Sequence, residues 1–389
     1  MTKVAVGLSG GVDSSVAAYL LKEQGYDVIA LFMVNWHDTT GLKSAECSAE
    51  DDVLFAKMVA SKLDIPLHIV DHSEEYRKRV VDYMFAEYEA GRTPNPDVLC
   101  NREIKFDVFL KKALEFDVDY VATGHYCQKE TIEKDGQTFH RLIAGADGNK
   151  DQSYFLCQLN QEQLSKAMFP IGHLDKPEVR EIARRENLAS AEKKDSQGIC
   201  FVGKVDLPTF LQQKLKAKEG NVIEIPKDTK LSLRKEETLE EMSKPFPFRP
   251  WHGKVAGQHK GAHFYTVGQR KGLNIGGRPE PMFVLHTDVE RNIIYVGQGH
   301  DHPCLSRKAL FIKDEDVHWI RPDLEIAVGE KKDYLVRIRY RQPLEKATLH
   351  RTETGVYIVF ENRQRAVVQG QFAAWYDEDE LIGSGVISD

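Results

Sequence analysis

The sequence predicts an α/β domain on a doubly wound parallel sheet, followed by small β-rich domains. Three observations carry that reading. Over the first half of the chain, short apolar runs alternate with stretches of helical periodicity, the pattern of strand–helix–strand crossovers. A glycine pair, Gly10-Gly11, stands where the first apolar run gives way to the first helical stretch. Beyond about Asp206 the helical period fades, and brief β-branched or aromatic runs are separated by turns rich in Gly, Pro and Asn.

Taken in order, Lys3–Leu8 reads as a buried strand, Ser14–Gln24 as a helix through Val16, Leu20 and Leu21, and Val28–Val34 as the second strand of a βαβ unit. A helix is expected around Val53–Leu63, a strand at Leu67–Val70, helices at Glu74–Glu89 and Ile104–Phe116, and a strand at Tyr120–Thr123. Asp175–Asn187 is a polar helix with Pro177 in its first turn, where a missing N–H costs nothing. The loop Lys193–Gly203 then closes the α/β unit. Strands are expected at Tyr265–Val267, Met282–Leu285, Ile293–Val296, Leu335–Arg341, Ala347–Leu349 and Val356–Phe360. Lys227–Pro250 is charged, then proline-rich, and reads as an inserted surface excursion.

Composition bounds the function. A chain of 389 residues, 41% hydrophobic and 29% charged, has material for two or three folded domains. A net charge of −7 excludes a globally basic nucleic-acid coat, so an RNA partner needs a local basic face. No apolar run approaches the ~18 residues of a membrane span, and Met1–Leu8 enters a strand directly, without secretory-signal character. A cytoplasmic protein with no membrane partner is expected. Six scattered cysteines (Cys47, Cys100, Cys127, Cys157, Cys200, Cys304) and no C-x-x-C argue against a disulfide scaffold, structural zinc or an iron–sulfur cluster.

The strongest local signal is Ser9-Gly10-Gly11-Val12-Asp13-Ser14-Ser15, between a strand and a helix. Glycines there let backbone approach a ligand, and a helix start offers N–H groups and a positive dipole end to phosphate oxygens. No lysine follows the glycines as in a Walker loop, and the string is not G-x-G-x-x-G. It resembles the PP-loop ATP pyrophosphatase family, whose S-G-G-x-D-S signature stands here as Ser9–Ser14. The resemblance implies that ATP binds through Gly7, Leu8, Ser9, Gly10, Gly11, Val12, Asp13 and Ser14, with Mg²⁺ present and Asp13 contributing to the metal site. N-capping is the bland alternative for Asp13. Met33 and Gly124, at the carboxyl ends of predicted strands, are expected to touch ATP as well.

Two further constellations are Asn95-Pro96-Asp97-Val98-Leu99-Cys100-Asn101 and Asp195-Ser196-Gln197-Gly198-Ile199-Cys200-Phe201, each read as a polar loop ending in a cysteine. Alone, either cysteine reads as a buried hydrophobe, and Asn95-Pro96-Asp97 as a turn with a cap. Their company is more telling. The blocks Gly91–Phe106, Ala122–Tyr126, Lys150–Leu156, Lys193–Gly203 and Tyr265–Gly277 resemble bacterial tRNA-specific 2-thiouridylases. That resemblance implies an α/β PP-loop domain at 1–205, a middle β-rich tRNA-binding domain at 206–303 and a C-terminal antiparallel β-barrel at 304–389, and the chain departs from the family pattern by an insertion near 227–253, longer and more charged than the brief turn expected there. It implies that ATP adenylates the 2-oxygen of a wobble uridine in tRNAs of the Lys, Glu and Gln type. Sulfur then arrives as a persulfide on Cys200 from a cysteine desulfurase or a relay carrier. Cys100 releases that sulfur or resolves the intermediate, leaving a disulfide. Asp97 is implied as the proton shuttle; Asn95, Pro96 and Asp97 are implied to meet the target base, and Lys150, Asp151, Gln152, Arg339 and Tyr340 the tRNA. Neighbouring Lys193, Lys194, Arg102 or a helix start are candidates to lower the thiol pKa.

Lys331–Arg351 carries seven Lys/Arg against Asp333 and Glu345, and on the predicted strand Arg337, Arg339 and Arg341 would share one face. A solvated hairpin face is the plain alternative. Gln269-Arg270-Lys271 is a further candidate RNA contact. Two other functions fit parts of the pattern: a small-molecule amide ligase with the same loop, which needs no cysteine pair, and an RNA-binding protein with a relict nucleotide site.

Overall fold

A computed structural model of the chain describes residues 1–37, 49–195, 200, 207–233 and 235–389. Cys47 falls outside these, as do residues 196–199 and 201–206 around Cys200.

Strands Lys3–Gly7, Asp27–Val34, Leu67–Asp71, Tyr120–Ala122 and Ala167–Met168 form a five-stranded sheet with every neighbour parallel. Lys3–Gly7 lies between Asp27–Val34 on one side and Tyr120–Ala122 on the other. The order therefore reverses at the first strand, and its carboxyl end opens onto the crevice where ligands of such sheets bind. The strands are apolar throughout because both faces are covered. Val4, Val6, Ala30 and Phe32 pack with Val16, Leu21 and Val59, whereas Ala5, Ile29, Leu31 and Met33 pack with Phe109, Leu110 and Ala113. The predicted doubly wound sheet is thus present. So is the Lys176–Arg185 helix, with a capping box between Asp175 and Glu178 and Pro177 in its first turn.

One predicted boundary is corrected. The segment from Asn95 is not a loop ending at Cys100; a helix begins at Pro96, passes through π-type geometry at Cys100–Val108 and continues as Phe109–Leu114. Asn95 caps it, accepting the Val98 N–H at 3.2 Å, and Pro96 occupies the first turn.

A second sheet, ordered Met282–Asp288, Ile293–Gln298, Gly220–Glu224, Lys254–His259, forms the middle domain. The predicted strand at Tyr265–Val267 is absent from it; the chain there turns through Gly268 (φ +85°), whose N–H reaches Val284 O. Nor is 227–250 merely a surface excursion. Phe246 and Phe248 are buried, Phe248 stacking on Tyr295 at 5.3 Å. Helix Leu239–Ser243 packs on the C-terminal strands Ser306–Lys313 and Gly355–Arg365.

The third sheet is antiparallel and holds those two strands with Lys331–Arg337, Glu345–Thr352, Phe372–Asp377 and Glu380–Val386. It also recruits a hairpin from the first half of the chain, Cys127–Lys134 and Gln137–Ala144, through Glu380↔Ile143 and Leu381↔Leu142. The predicted strand Leu335–Arg341 ends at Arg337, because Ile338 N–H turns to the Gln342 side chain and Pro343 cannot donate to a ladder. The three arginines consequently do not share a face. Among the described residues no helix is long and apolar enough to cross a membrane.

Candidate active site

The phosphate-loop candidate lies at the carboxyl end of Lys3–Gly7. Gly10 has φ +76°, and a Cβ on it would stand 2.3 Å from Asp52 O, so only glycine fits both the turn and the neighbouring helix. Ser14 Oγ accepts the Ser9 N–H at 3.1 Å and lies 3.1 Å from Ser9 Oγ, which folds the loop back over the helix start. Gly11 is the N-cap of Val12–Glu23 and supplies no side-chain cap, leaving the helix start open to an anion. Asp13 is therefore a first-turn residue rather than the cap. Gly124 packs directly behind it: a Cβ there would sit 2.7 Å from Asp13 C and Ser14 N. Leu8 and Val12 are buried beneath the loop, and Met33 is nearly so in the layer of Phe109.

Charged groups gather around the loop. Lys176 bonds both Asp13 carboxylate oxygens at 2.7 and 3.0 Å, and Tyr126 OH donates to Asp13 Oδ1 at 2.7 Å. Asp195 receives Lys176, Lys150 and Arg180 within 3.0 Å; the lysines outweigh its burial and hold its pKa at about 2. Lys193 reaches Gly10 O at 3.3 Å and pairs with Asp52. Two lysines thus stand beside the loop even though the loop itself carries none. No group of three or more His, Cys, Asp or Glu among the described residues could hold a metal unaided. Mg²⁺ brought by a nucleotide needs only one or two carboxylates, the other ligands being phosphate and water, and Asp13 fits that demand.

The second centre holds the two thiols. Cys100 is fully buried in the helix and Cys200 half-buried, and both are free thiols. Their side chains nonetheless come within reach of each other across 100 residues of sequence, each shifting the titration of the other. Cys200 N–H donates to Asp97 Oδ1 at 3.0 Å, and Tyr76 OH donates to Cys200 O at 2.7 Å. Asp97, one turn before Cys100, thereby fixes the second cysteine relative to the first.

Electrostatics makes the two sulfurs unequal. The Cys100 S–H bond, joined by the Lys105 ammonium, lowers the Cys200 pKa against the opposing effect of burial. Cys100 is pushed well up, first by burial and then by its bond to Cys200. Burial would depress Lys105, but the sulfurs and Asp97 raise it, so it stays a cation. Its Nζ lies 3.4 Å from Nε2 of His125, whose Nδ1 is 2.7 Å from Thr123 Oγ1. Burial drives the His125 pKa far down, so the ring is neutral: Nδ1–H donates to Thr123 and Nε2 accepts from Lys105. Burial likewise raises Asp97. Cys200 is thus the more acidic thiol of the pair, and Cys100 the one that holds its proton.

The expected pKa-lowering groups are corrected accordingly. Lys193 serves the phosphate loop, Lys194 is exposed, and Arg102 bonds Glu103 and Gln158. Lys105, Tyr76 and His125 went unremarked in the sequence. Only Lys105 had a legible signal: it lies five residues after Cys100, the i→i+5 relation of π-type geometry.

The remaining predicted contacts form two groups. Asn95 also bonds Gln371 Oε1 at 3.4 Å, and Gln371 Nε2 donates to Thr93 O and Pro94 O, so the C-terminal domain clamps the approach to the helix that carries Cys100. Thr93 meets Thr266 of the middle domain at 3.0 Å. Asp151 is buried and pairs with Arg337 at 3.1 Å, Gln152 accepts the Tyr126 N–H, and Tyr340 packs on Phe155 with its OH 3.4 Å from Lys150 O. Arg339 is exposed, its guanidinium on Arg365 O and Ala366 O. Lys150, Asp151, Gln152 and Tyr340 thus form one patch, with Arg339 apart.

An open parallel sheet with a glycine loop at its switch point, linked to a buried dithiol, defines a phosphate-loop α/β enzyme class with sulfur chemistry. Family models agree with the layout: a tRNA methyl transferase HUP domain matches residues 2–204, a tRNA methyl transferase PRC-barrel domain 237–298, and an aminomethyltransferase beta-barrel domain 310–387. The tRNA-specific 2-thiouridylase of Christiangramia forsetii is 60% identical over 395 residues, and that of Flavobacterium johnsoniae 61%, each match covering 100% of both chains. That of Shouchella clausii is 47% identical, over 99% of this chain and 96% of its own. The chain belongs to the tRNA-specific 2-thiouridylase family.

Proposed function

We propose that this chain replaces the 2-oxygen of a tRNA wobble uridine with sulfur, consuming ATP and yielding 2-thiouridine, AMP and pyrophosphate. The observation that carries the reading is Cys200 held by its backbone to Asp97, one turn before Cys100, in a chain that matches 2-thiouridylases along its whole length. An amide ligase would need no such pair.

The phosphate loop, with Lys176 and Lys193 beside it, suits the pyrophosphate end of ATP, while Met33 and Gly124 border the nucleotide. Mg²⁺ would neutralise charge developing on the pyrophosphate, with Asp13 as its protein ligand. Adenylation turns the uridine oxygen into AMP, a good leaving group. A donor persulfide, from a desulfurase or relay carrier, is accepted by the Cys200 thiolate. The terminal sulfur attacks C2 and AMP departs with the original oxygen. Cys100, surrendering its proton, then attacks Cys200 Sγ; the S–S bond to the tRNA-borne sulfur breaks, and a Cys100–Cys200 disulfide forms for later reduction. Attack by Cys100 before addition would free hydrosulfide and leave the same disulfide. Asp97 is the nearest carboxyl to move that proton, and its raised pKa suits the task. The need for re-reduction fits a cytoplasmic setting.

Asn95, Pro96 and Asp97 would face the extruded base, with Lys150, Asp151, Gln152, Arg339 and Tyr340 on the tRNA. Extrusion costs a few kcal/mol, least in a single-stranded anticodon loop. The test is reconstitution: purified chain, tRNA transcript, ATP and a persulfide donor, with nucleoside mass spectrometry. Expected are 2-thiouridine and one AMP per sulfur for the native chain, and neither Cys100→Ser nor Cys200→Ser producing thiolated tRNA. Thiolation surviving either substitution would refute the roles assigned.

A further inference from the structure

The 227–253 insertion has no part in the chemistry above, yet near its end an indole ring stands open to solvent. Trp251 is 77% exposed, whereas Trp36, Trp319 and Trp375, the other tryptophans, are half-buried or buried. The ring stands on a rigid base. Phe246 and Phe248 anchor the preceding residues in the middle-domain core, and Pro250 opens a single 3₁₀ turn, Pro250–His252. His252 Nδ1 accepts the Arg249 N–H at 3.0 Å, and Gly253 lies so close to the Gly220–Glu224 strand that a Cβ would meet Glu224 O at 2.2 Å. A large apolar ring held this firmly in solvent is poised for a partner.

The surroundings say which kind. Between Ser243 and Pro279 the chain has seven Lys/Arg and no Asp or Glu, within a protein of net charge −7. Five of those cations, Arg249, Lys254, Lys260, Arg270 and Lys271, are exposed, and none has an acidic partner among the described residues. Lys254 lies on the outer strand of its sheet, and Thr266 touches Thr93 ahead of the helix that carries Cys100. This stretch of chain thus carries exposed cations from the open indole as far as Lys271, past Thr266 and its contact with Thr93. Cations spaced for phosphates beside an aromatic face are the elements of single-stranded nucleic-acid recognition.

We infer that Trp251 stacks on an unpaired base of the substrate tRNA while Arg249, Lys254 and the Arg270–Lys271 pair engage its phosphates. The inference rests on the tRNA reading and adds a binding surface to it. The full-length chain is titrated with tRNA transcript, following tryptophan fluorescence and the salt dependence of Kd. Native protein should show quenching that Trp251→Phe largely abolishes while retaining affinity. Trp251→Ala should bind roughly tenfold more weakly, in line with stacking worth about 1–3 kcal/mol per base. Lys254→Glu should flatten the slope of log Kd against log salt. Trp251→Ala and Lys254→Glu should both raise the tRNA concentration that gives half the maximal single-turnover rate of thiolation. Native-like affinity and salt slope in both variants would overturn the inference and leave the thiolation reading intact. Loss of a native dimer on sedimentation of Trp251→Ala, with tRNA affinity unchanged, would also overturn it by showing a second copy on the ring. A native chain that neither binds nor thiolates tRNA would overturn both readings.

Discussion

At Cys200 the chemistry depends on one proton. The Cys100 thiol and Lys105 favour the Cys200 thiolate, so its pKa lies below the ordinary thiol value. Lys105→Met removes the cation. Cys200 alkylation by iodoacetamide should then become slower near pH 7 and recover at alkaline pH, moving the inflection upward; an unmoved inflection would exclude Lys105 as the stabilising group. Cys100, buried and protonated, should alkylate far more slowly than Cys200 in both proteins. At the other centre Gly10→Ala places a Cβ against Asp52 O in a left-handed turn. The backbone conformation alone costs about 1–2 kcal/mol. Calorimetry should show lower stability and loss of ATP binding, and unchanged nucleotide affinity would contradict the loop assignment.

At the scale of elements, the helix that carries Cys100 is the point where sequence and structure part. Asn95 as cap and Pro96 in the first turn were both legible as helix-start signals. Reading them as a turn placed Cys100 at the end of a loop, whereas a helix carries Asp97, Cys100 and Lys105 on one rigid element. Asn95→Ala should cost about 1 kcal/mol in a denaturation experiment through the lost cap. The parallel strands were readable because burial on both faces leaves continuous apolar runs, and Asp175-Lys176-Pro177-Glu178 because its capping box is local. The hairpin Cys127–Lys134/Gln137–Ala144 had a local sign too, Asp135-Gly136 with φ +52° and +75°, but its strands are too polar to stand out. What no local pattern carries is pairing at a distance: Cys100 with Cys200, Lys193 with Gly10, and Arg337 turning inward to Asp151.

At the scale of the molecule, the three domains are fastened around the active site rather than strung beside it. The hairpin from the first half completes the C-terminal sheet, and Glu380 at that seam is buried between Arg321 and Arg141. Glu380→Ala would take one buried partner from each guanidinium while Arg321 keeps Asp323 and Arg141 keeps Glu130, and a loss of about 1.5–3 kcal/mol is expected in denaturant titration. Gln371 reaches from the same sheet to the backbone of Thr93 and Pro94. Gln371→Ala should therefore lower the thiolation rate while sparing ATP affinity, since the phosphate loop lies on another element; a fall in both would argue for general unfolding.

The handover of sulfur between two cysteines is tested most directly by one turnover without reductant, with peptide mapping of the protein and nucleoside mass spectrometry of the tRNA from the same tube. One Cys100–Cys200 disulfide per 2-thiouridine formed is the expected result. Thiolated tRNA accumulating while both cysteines remain free for alkylation would contradict it.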